Sequence, residues 1–132
     1  MIQPEHYIQN AEQAQQLIGE YWYSRLEWIS GFHLYTAPNS YYEPVTIADI
    51  TFLLHGKSGN YEVMLRFTNI EQLNFQPGSL LCQISGFKIN SLHGRGYTDM
   101  RYYIEDYENG ELHFYCKSIE LKSIEKSYTA IP

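Results

Sequence analysis

The stretch Tyr61-Glu-Val-Met-Leu-Arg-Phe67 alternates apolar and polar side chains with a period of two. Such alternation is typical of a β-strand with one face in a core and the other in water. Two further blocks of this kind follow: Gln83-Ile-Ser-Gly-Phe-Lys-Ile89 and Tyr102-Tyr-Ile-Glu-Asp-Tyr-Glu-Asn-Gly-Glu-Leu-His-Phe-Tyr-Cys116. The second half of the chain therefore predicts short antiparallel strands joined by tight turns.

Glycines mark the predicted turns between these strands. Gly56-Lys-Ser-Gly59 predicts a hairpin loop, and Asn109-Gly110 predicts a two-residue type I′ turn. Residues 80–92 predict one strand that Gly86 interrupts, either as a bulge or as a place where another part of the chain approaches the backbone closely. The strands on either side of Asn109-Gly110 each have an apolar face, which comprises Met100, Tyr102 and Ile104 on one strand and Leu112, Phe114 and Cys116 on the other.

The first third of the chain predicts a helix. Ile18, Trp22, Leu26 and Ile29 recur at spacings of four, four and three, which places them on one helical face. Gly19 divides this pattern, so the region is either one helix or two short helices over residues 10–18 and 20–29. The predicted fold is a single α+β domain over residues 1–132, with this helical region packed on a curved, mainly antiparallel sheet of six to eight strands.

The amino-acid composition limits the classes of function that the chain can have. The net charge of −6 argues against non-specific binding to nucleic acid or to an anionic membrane, and it is compatible with a basic protein partner. The 13 tyrosines indicate ring pairing between neighbouring strands or, alternatively, a tyrosine-rich recognition face. The N-terminus lacks the features of a signal peptide, and no apolar run is long enough to cross a bilayer, so we expect a cytoplasmic protein. Cys82 and Cys116 are expected to be reduced core thiols, although a disulfide between neighbouring strands is an alternative.

No motif in the sequence indicates a catalytic centre, so we expect no enzymatic activity, no cofactor and no metal site. The five histidines form no HxxH or HExxH pair. A site that combines His33 with His93 or His113 would depend on the fold, and the simpler interpretation is that the histidines lie in turns and on the surface.

An acidic cluster is the strongest candidate for a functional surface. Five carboxylates lie within residues 99–111 beside one base, Arg101, and tyrosines border them. A solvated edge of the sheet is the simplest interpretation, and acid–base chemistry or Ca²⁺ binding would need partners that the sequence does not show. The predicted partner-binding residues are Asp99, Tyr103, Glu105, Asp106, Tyr107, Glu108 and Glu111, with Glu105 on the same face as Tyr103 and with Asp106 and Glu108 at the turn.

The order of blocks along the chain resembles that of small bacterial proteins grouped as polymorphic-toxin immunity proteins, the immunity protein 50 type in particular. The resemblance covers residues 28–120 and is carried mainly by the blocks 83–89 and 106–118. Similar proteins often have Asp after the His of a Phe-His pair. Leu34 stands at that position here, which argues against a role that rests on a His–Asp dyad.

The resemblance implies a non-enzymatic inhibitor that binds a cognate protein toxin and neutralises it. Immunity proteins against nucleases are frequently acidic, because the surface of such a toxin is shaped to hold nucleic acid. The acidic chain therefore leads us to expect a toxin with a basic surface. Two other hypotheses remain open at this point. One is a ligand-binding domain with a pocket between the helix and the sheet. The other is a homodimer that pairs a sheet edge or buries a tyrosine face, so the protein is either a monomer or a homodimer.

Overall fold

The computed structural model describes residues 7–56, 59–76, 82–84, 86–92, 100–106 and 110–128. These residues form ten strands, one α-helix and one 3-10 helix. The strands are β1 (Ile8–Gln9), β2 (Trp28–Pro38), β3 (Pro44–Gly56), β4 (Gly59–Thr68), β5 (Glu71–Phe75), β6 (Cys82–Gln83), β7 (Phe87–Ser91), β8 (Tyr102–Asp106), β9 (Leu112–Cys116) and β10 (Ser118–Ser127). The α-helix α1 is Glu12–Leu17 and the 3-10 helix is Trp22–Arg25.

The strands form two sheets. The six-stranded sheet has the order β1-β10-β4-β3-β2-β6, and the four-stranded sheet has the order β5-β9-β8-β7. Every paired strand is antiparallel to its neighbour except β1, which runs parallel to β10. The predicted antiparallel sheet is confirmed, but the predicted α+β fold is wrong. The protein is mostly β, and no helix in the described part of the chain covers either sheet.

The predicted helix over residues 10–29 fails for a conformational reason. Gly19 and Tyr21 both have positive φ values, +119° and +60°, and this left-handed backbone ends α1 after six residues. The last part of the predicted helix is the start of β2, where Trp28 pairs with Leu53 of β3. A pocket between that helix and the sheet therefore has no counterpart among the described elements.

The apolar spacing in this region nevertheless identified core residues correctly. Ile18, Trp22, Leu26 and Ile29 are all buried, with exposures of 3% or less. Ile18 lies at the end of α1, and Trp22 lies in the 3-10 helix. Leu26 has an extended backbone, and Ile29 belongs to β2. Gly31 lies within β2 opposite Thr51, just after a register shift. The spacing of these four apolar residues therefore predicted correctly that they are buried, but it predicted the wrong backbone conformation.

The chain passes from one sheet to the other at four places along the order of the strands: between β4 and β5, between β5 and β6, between β6 and β7, and between β9 and β10. Between β4 and β5, Asn69 adopts φ +65°, and the N–H groups of Asn69 and Ile70 both donate to the carbonyl of Thr46, at 2.8 and 3.0 Å. Between β9 and β10, the Lys117 N–H donates to the Thr68 carbonyl at 2.9 Å. Between β6 and β7 the backbone turns near Gly86, whose φ is +74°. The predicted single strand over residues 80–92 is therefore wrong, because β6 and β7 belong to different sheets.

One apolar core joins the two sheets. Phe67 of β4 meets Phe114 of β9 edge-on, with ring centroids 5.0 Å apart, and Phe52 of β3 meets Phe87 of β7 at 5.4 Å. The alternation in β4 is confirmed, because Tyr61, Val63, Leu65 and Phe67 are all buried. Cys82 and Cys116 are both buried thiols and are not joined in a disulfide, as predicted for core thiols. Burial raises the pKa of the Cys116 thiol.

The two predicted hairpin turns have different outcomes. Gly56 pairs with Gly59, so β3 and β4 form the predicted hairpin; residues 57 and 58 lie outside the described residues. A two-residue Asn109-Gly110 turn would pair Glu105 with Phe114, but Glu105 pairs with His113. The loop of this hairpin is therefore longer than the predicted two residues. Gly110 has φ +69°, and Asn109 lies outside the described residues.

Neither helix of the described chain has the length and apolarity that crossing a membrane requires.

Candidate functional site

The outer face of the four-stranded sheet carries a group of polar and aromatic side chains that we call the tyrosine face, defined as Tyr103, Glu105, His113 and Tyr115. Tyr103 pairs directly with Tyr115, and Glu105 pairs directly with His113. Because directly paired residues lie on the same side of an antiparallel sheet, all four point away from the core. The intervening residues Ile104 and Phe114 are fully buried on the other side.

The aromatic rings of this face are in contact with one another. The ring centroids of Tyr103 and Tyr115 lie 4.8 Å apart at 43°, and those of Tyr103 and His113 lie 6.2 Å apart at 45°. Burial raises the pKa of the Tyr103 hydroxyl, and the neighbouring Glu105 and Tyr115 raise it further. Rings that pack on each other on a sheet lose little additional freedom when a partner covers them, which favours binding.

Charges of both signs border the tyrosine face. In the register of the sheet, Glu105 lies between His113 of β9 and Lys88 of β7, and Glu71 of β5 lies opposite Tyr115. On the β7 side, Asn90 donates from its side-chain amide to the carbonyl of Tyr103 at 3.1 Å. The described surface is thus an aromatic face with charges of both signs at its border.

The predicted partner-binding residues are only partly brought together. Tyr103 and Glu105 lie on one outer face, as predicted. Glu111 has its carboxylate 3.4 Å from the Cys82 thiol, which donates to it, so this carboxylate reaches toward β6 of the other sheet. Asp99, Tyr107 and Glu108 lie outside the described residues.

Asp106 is not at the surface, contrary to its predicted place at the exposed turn. It is fully buried at the end of β8. Its Oδ1 accepts from the Leu112 N–H at 2.9 Å, and its carbonyl accepts from the Gly110 N–H at 2.8 Å, so it closes the β8–β9 hairpin from within. Its Oδ2 has no hydrogen-bond partner within the part of the chain that the structure describes. Burial raises the pKa of this carboxyl group, partly offset by the Leu112 N–H.

A second polar group lies on the outer face of the six-stranded sheet. Arg66 donates to Asp49 from Nε at 2.9 Å and from Nη2 at 3.1 Å, and the Tyr35 hydroxyl donates to the same carboxylate at 3.1 Å. Burial acts to raise the pKa of Asp49, but the hydrogen bonds from Arg66 and Tyr35 outweigh it and hold the pKa below its usual value. The bidentate ion pair between Arg66 and Asp49 links β3 to β4. Both oxygens of the Asp49 carboxylate already accept hydrogen bonds from within the sheet.

The histidines proposed as metal ligands lie apart. His33 is on β2, on the outer face of the six-stranded sheet, and its ring packs against that of Tyr35 at a tilt of 32°, with centroids 4.7 Å apart. His113 belongs to the tyrosine face of the other sheet, and His93 lies outside the described residues. Within the part of the chain that the structure describes, no three His, Cys, Asp or Glu residues are grouped so as to hold a metal ion.

Two members of the tyrosine face, His113 and Tyr115, were absent from the sequence prediction. That prediction followed a run of neighbouring residues, whereas a sheet face is assembled from alternate residues of adjacent strands. The signal was present in Leu112, Phe114 and Cys116, because an inward set at these positions leaves His113 and Tyr115 pointing outward.

Comparison with known proteins does not extend this description: no family model, no curated protein and no solved structure matches the chain.

Proposed function

We propose that the protein is a non-enzymatic immunity protein that binds a cognate bacterial toxin through the tyrosine face and thereby neutralises it. The resemblance of blocks 83–89 and 106–118 to immunity proteins supports the class of function. The tyrosine face supports the mode of action, because it offers a surface suited to protein contact.

The observation that carries the proposal is the contact between Tyr103 and Tyr115 on the outer face of the four-stranded sheet, where both side chains are half-buried. Tyrosine is enriched in protein interfaces since its ring buries a large area while its hydroxyl still finds a hydrogen-bond partner. A few such aromatic residues near the centre of an interface carry most of its binding energy. Glu105 beside them provides a negative group for a lysine or arginine of the toxin.

Net charge acts on this encounter over a longer range. The chain carries −6 in total, so it attracts a partner with a basic surface and accelerates association at low salt. The affinity and the association rate for the toxin are therefore expected to fall as ionic strength rises, because screening shortens the reach of these charges.

Capture of the partner tests the proposal. The tagged chain is expressed in its native cell and recovered, and the proteins that come with it are identified by mass spectrometry. We expect one stoichiometric partner whose isolated expression is toxic and whose toxicity is relieved by this chain. Recovery of the chain with no stoichiometric partner, or with a partner whose expression is harmless, would contradict the proposal.

A further inference from the structure

The loop that joins β2 to β3 is stabilised by its own hydrogen bonds. We call residues 39–43 the hairpin tip. The Asn39 side chain accepts at Oδ1 from the N–H groups of Tyr41 and Glu43, at 2.8 and 3.0 Å. The Asn39 N–H donates to the Glu43 carbonyl at 2.9 Å, and the Tyr42 N–H donates to the Asn39 carbonyl at 3.0 Å. A proline ends β2 and another begins β3, so backbone rotation is limited on both sides of the tip.

The hairpin tip presents two tyrosine side chains to solvent. Tyr41 is 79% exposed and Tyr42 is 89% exposed, so neither ring contributes to the core. Tyr42 also has a left-handed backbone, with φ +62°, which is costly for a residue with a side chain. Tyr21 is left-handed too, but its ring lies 6.4 Å from that of Tyr23. Strain at an exposed residue is typical of binding sites, so the strained and exposed Tyr42 points to a contact outside the chain.

The chemical groups at the hairpin tip favour a cationic partner. The N–H groups of Asn39, Tyr41, Tyr42 and Glu43 already donate within the loop, and each backbone N–H is a single donor. Apart from the tyrosine hydroxyls, which both donate and accept, the tip therefore offers mainly acceptors. These are the exposed carboxylate of Glu43 and the electron-rich faces of the two rings. The net charge of −6 attracts a cationic partner over a longer range.

We propose that the hairpin tip is a second binding surface, which recognises an arginine-bearing segment of another protein. The planar guanidinium group of arginine stacks on a tyrosine ring, and its fork of N–H donors also reaches a carboxylate. The ammonium group of lysine is a compact and strongly hydrated charge that cannot stack in this way. Tyr41, Tyr42 and Glu43 are consecutive residues, so one short loop supplies both the rings and the carboxylate.

The hydrogen bonds of the hairpin tip favour such recognition. A loop that already has its bound conformation loses little conformational entropy when a partner arrives, and tyrosine adds a large contact area with few rotatable bonds. The tip extends from the six-stranded sheet, whereas the tyrosine face belongs to the four-stranded sheet. The proposal therefore does not depend on the proposed function, and the partner of the tip is separate from the toxin.

Nuclear magnetic resonance of the full chain tests the proposal. The tyrosine rings are labelled with carbon-13, their signals are assigned from Tyr→Phe variants, and a peptide of two arginines between glycines, with blocked ends, is added. We expect the ring signals of Tyr41 and Tyr42 to shift and to saturate at millimolar peptide. Tyr128 is 94% exposed and is the internal control, whose signal should shift much less. No saturable shift at the tip, or an equal shift at Tyr128, would overturn the proposal.

Two further probes separate arginine recognition from other kinds of binding. The same peptide with lysines in place of the arginines carries the same charge and should bind more weakly, because it cannot stack on the rings. Glucose should cause no saturable shift. Equal binding of the two peptides would reduce the contact to net charge, and saturable shifts with glucose alone would identify a sugar-binding surface. Either result would overturn the proposal.

Variants of the tip complete the test, with the amide signal of residue 43 as the reporter. Tyr41→Ala/Tyr42→Ala should weaken binding of the arginine peptide by roughly five- to thirtyfold, and Tyr128→Ala should leave it unchanged. Asn39→Ala should also weaken it, because the loop loses the acceptor of two N–H groups, whereas Asn39→Asp keeps an acceptor there and should bind like the wild type. Wild-type affinity in the double variant or in Asn39→Ala would contradict recognition by a preorganised tip.

Discussion

Replacing Phe114 by alanine is expected to lower the free energy of unfolding by about 3–5 kcal/mol. Phe114 is fully buried in β9 and meets Phe67 of the other sheet at 5.0 Å, edge-on. Its truncation removes apolar contact and leaves a cavity at the junction of the two sheets, where neither backbone can close in without disturbing its own hydrogen bonds. Urea denaturation followed by fluorescence measures the change as a shift in midpoint.

The matched comparison uses a second aromatic residue with no such contacts. Tyr41→Ala, at a position 79% exposed, should change the stability by less than about 0.5 kcal/mol. The double variant Phe67→Ala/Phe114→Ala should lose less than the sum of the single losses, by roughly 0.5–1.5 kcal/mol, because the ring–ring contact is counted twice in that sum. Strict additivity would mean that the two sheets do not meet at these rings.

Asp49→Asn is expected to lower the stability at pH 7 by about 1.5–3 kcal/mol, the range for hydrogen bonds that involve charged groups. The change removes the carboxylate that Arg66 and Tyr35 share. The pKa of Asp49 is held below its usual value, so its stabilising effect is complete above the unfolded-state pKa of about 3.8 and disappears as the pH falls through the folded-state pKa. The deficit of the variant should therefore shrink in acid.

Asp106→Asn provides a control, because the pKa of Asp106 is shifted in the direction opposite to that of Asp49. The pKa of Asp106 is raised by burial, so the ionised carboxylate opposes folding, and its protonated form contributes stability that is lost as the pH rises above about 3.8. An amide costs less to bury than a carboxylate, and its Oδ1 can still accept from the Leu112 N–H. At pH 7 the variant should be at least as stable as the wild type. Thermal unfolding from pH 3 to pH 8 tests both variants, and parallel curves would contradict the account.

The sequence was sufficient to predict which residues form the core and where several strands run. The alternation from Tyr61 to Phe67 predicted β4 correctly, because a period of two over seven residues has few competing interpretations. The apolar spacing from Ile18 to Ile29 predicted burial correctly but helix wrongly. Four apolar residues at helical spacing can also be buried from a turn, an extended residue and a strand, and here left-handed residues at Gly19 and Tyr21 interrupt the helix.

The Asn109-Gly110 turn shows two sequence signals in conflict. A two-residue turn would place Ile104 beside Tyr115, although the apolar pattern requires Ile104 on the same face as Phe114. The structure pairs Ile104 with Phe114. A shift of one residue would turn a whole apolar face into water, which costs more than a less favoured turn, so the apolar pattern determines the register.

The places where the chain passes from one sheet to the other could not be predicted from the local pattern of apolar and polar residues. A strand that continues into another sheet keeps its alternation, so Gly86 was interpreted as an interruption within one strand. The candidate site was found incompletely for a related reason. Tyr103 and Glu105 stand out within an acidic run, whereas His113 and Tyr115 join them only once the pairing of β8 with β9 is known.

The affinity of the captured toxin for variants of the tyrosine face is the most direct measurement of the proposed binding mode. Tyr103→Ala/Tyr115→Ala is compared by isothermal calorimetry with Tyr41→Ala/Tyr42→Ala, which removes two tyrosines that are 79% and 89% exposed on the β2–β3 hairpin. We expect the first pair to weaken binding by at least roughly thirtyfold, equivalent to about 2 kcal/mol, and the second to leave it nearly unchanged. Binding that survives loss of Tyr103 and Tyr115, or that is lost with Tyr41 and Tyr42, would place the toxin elsewhere on the protein.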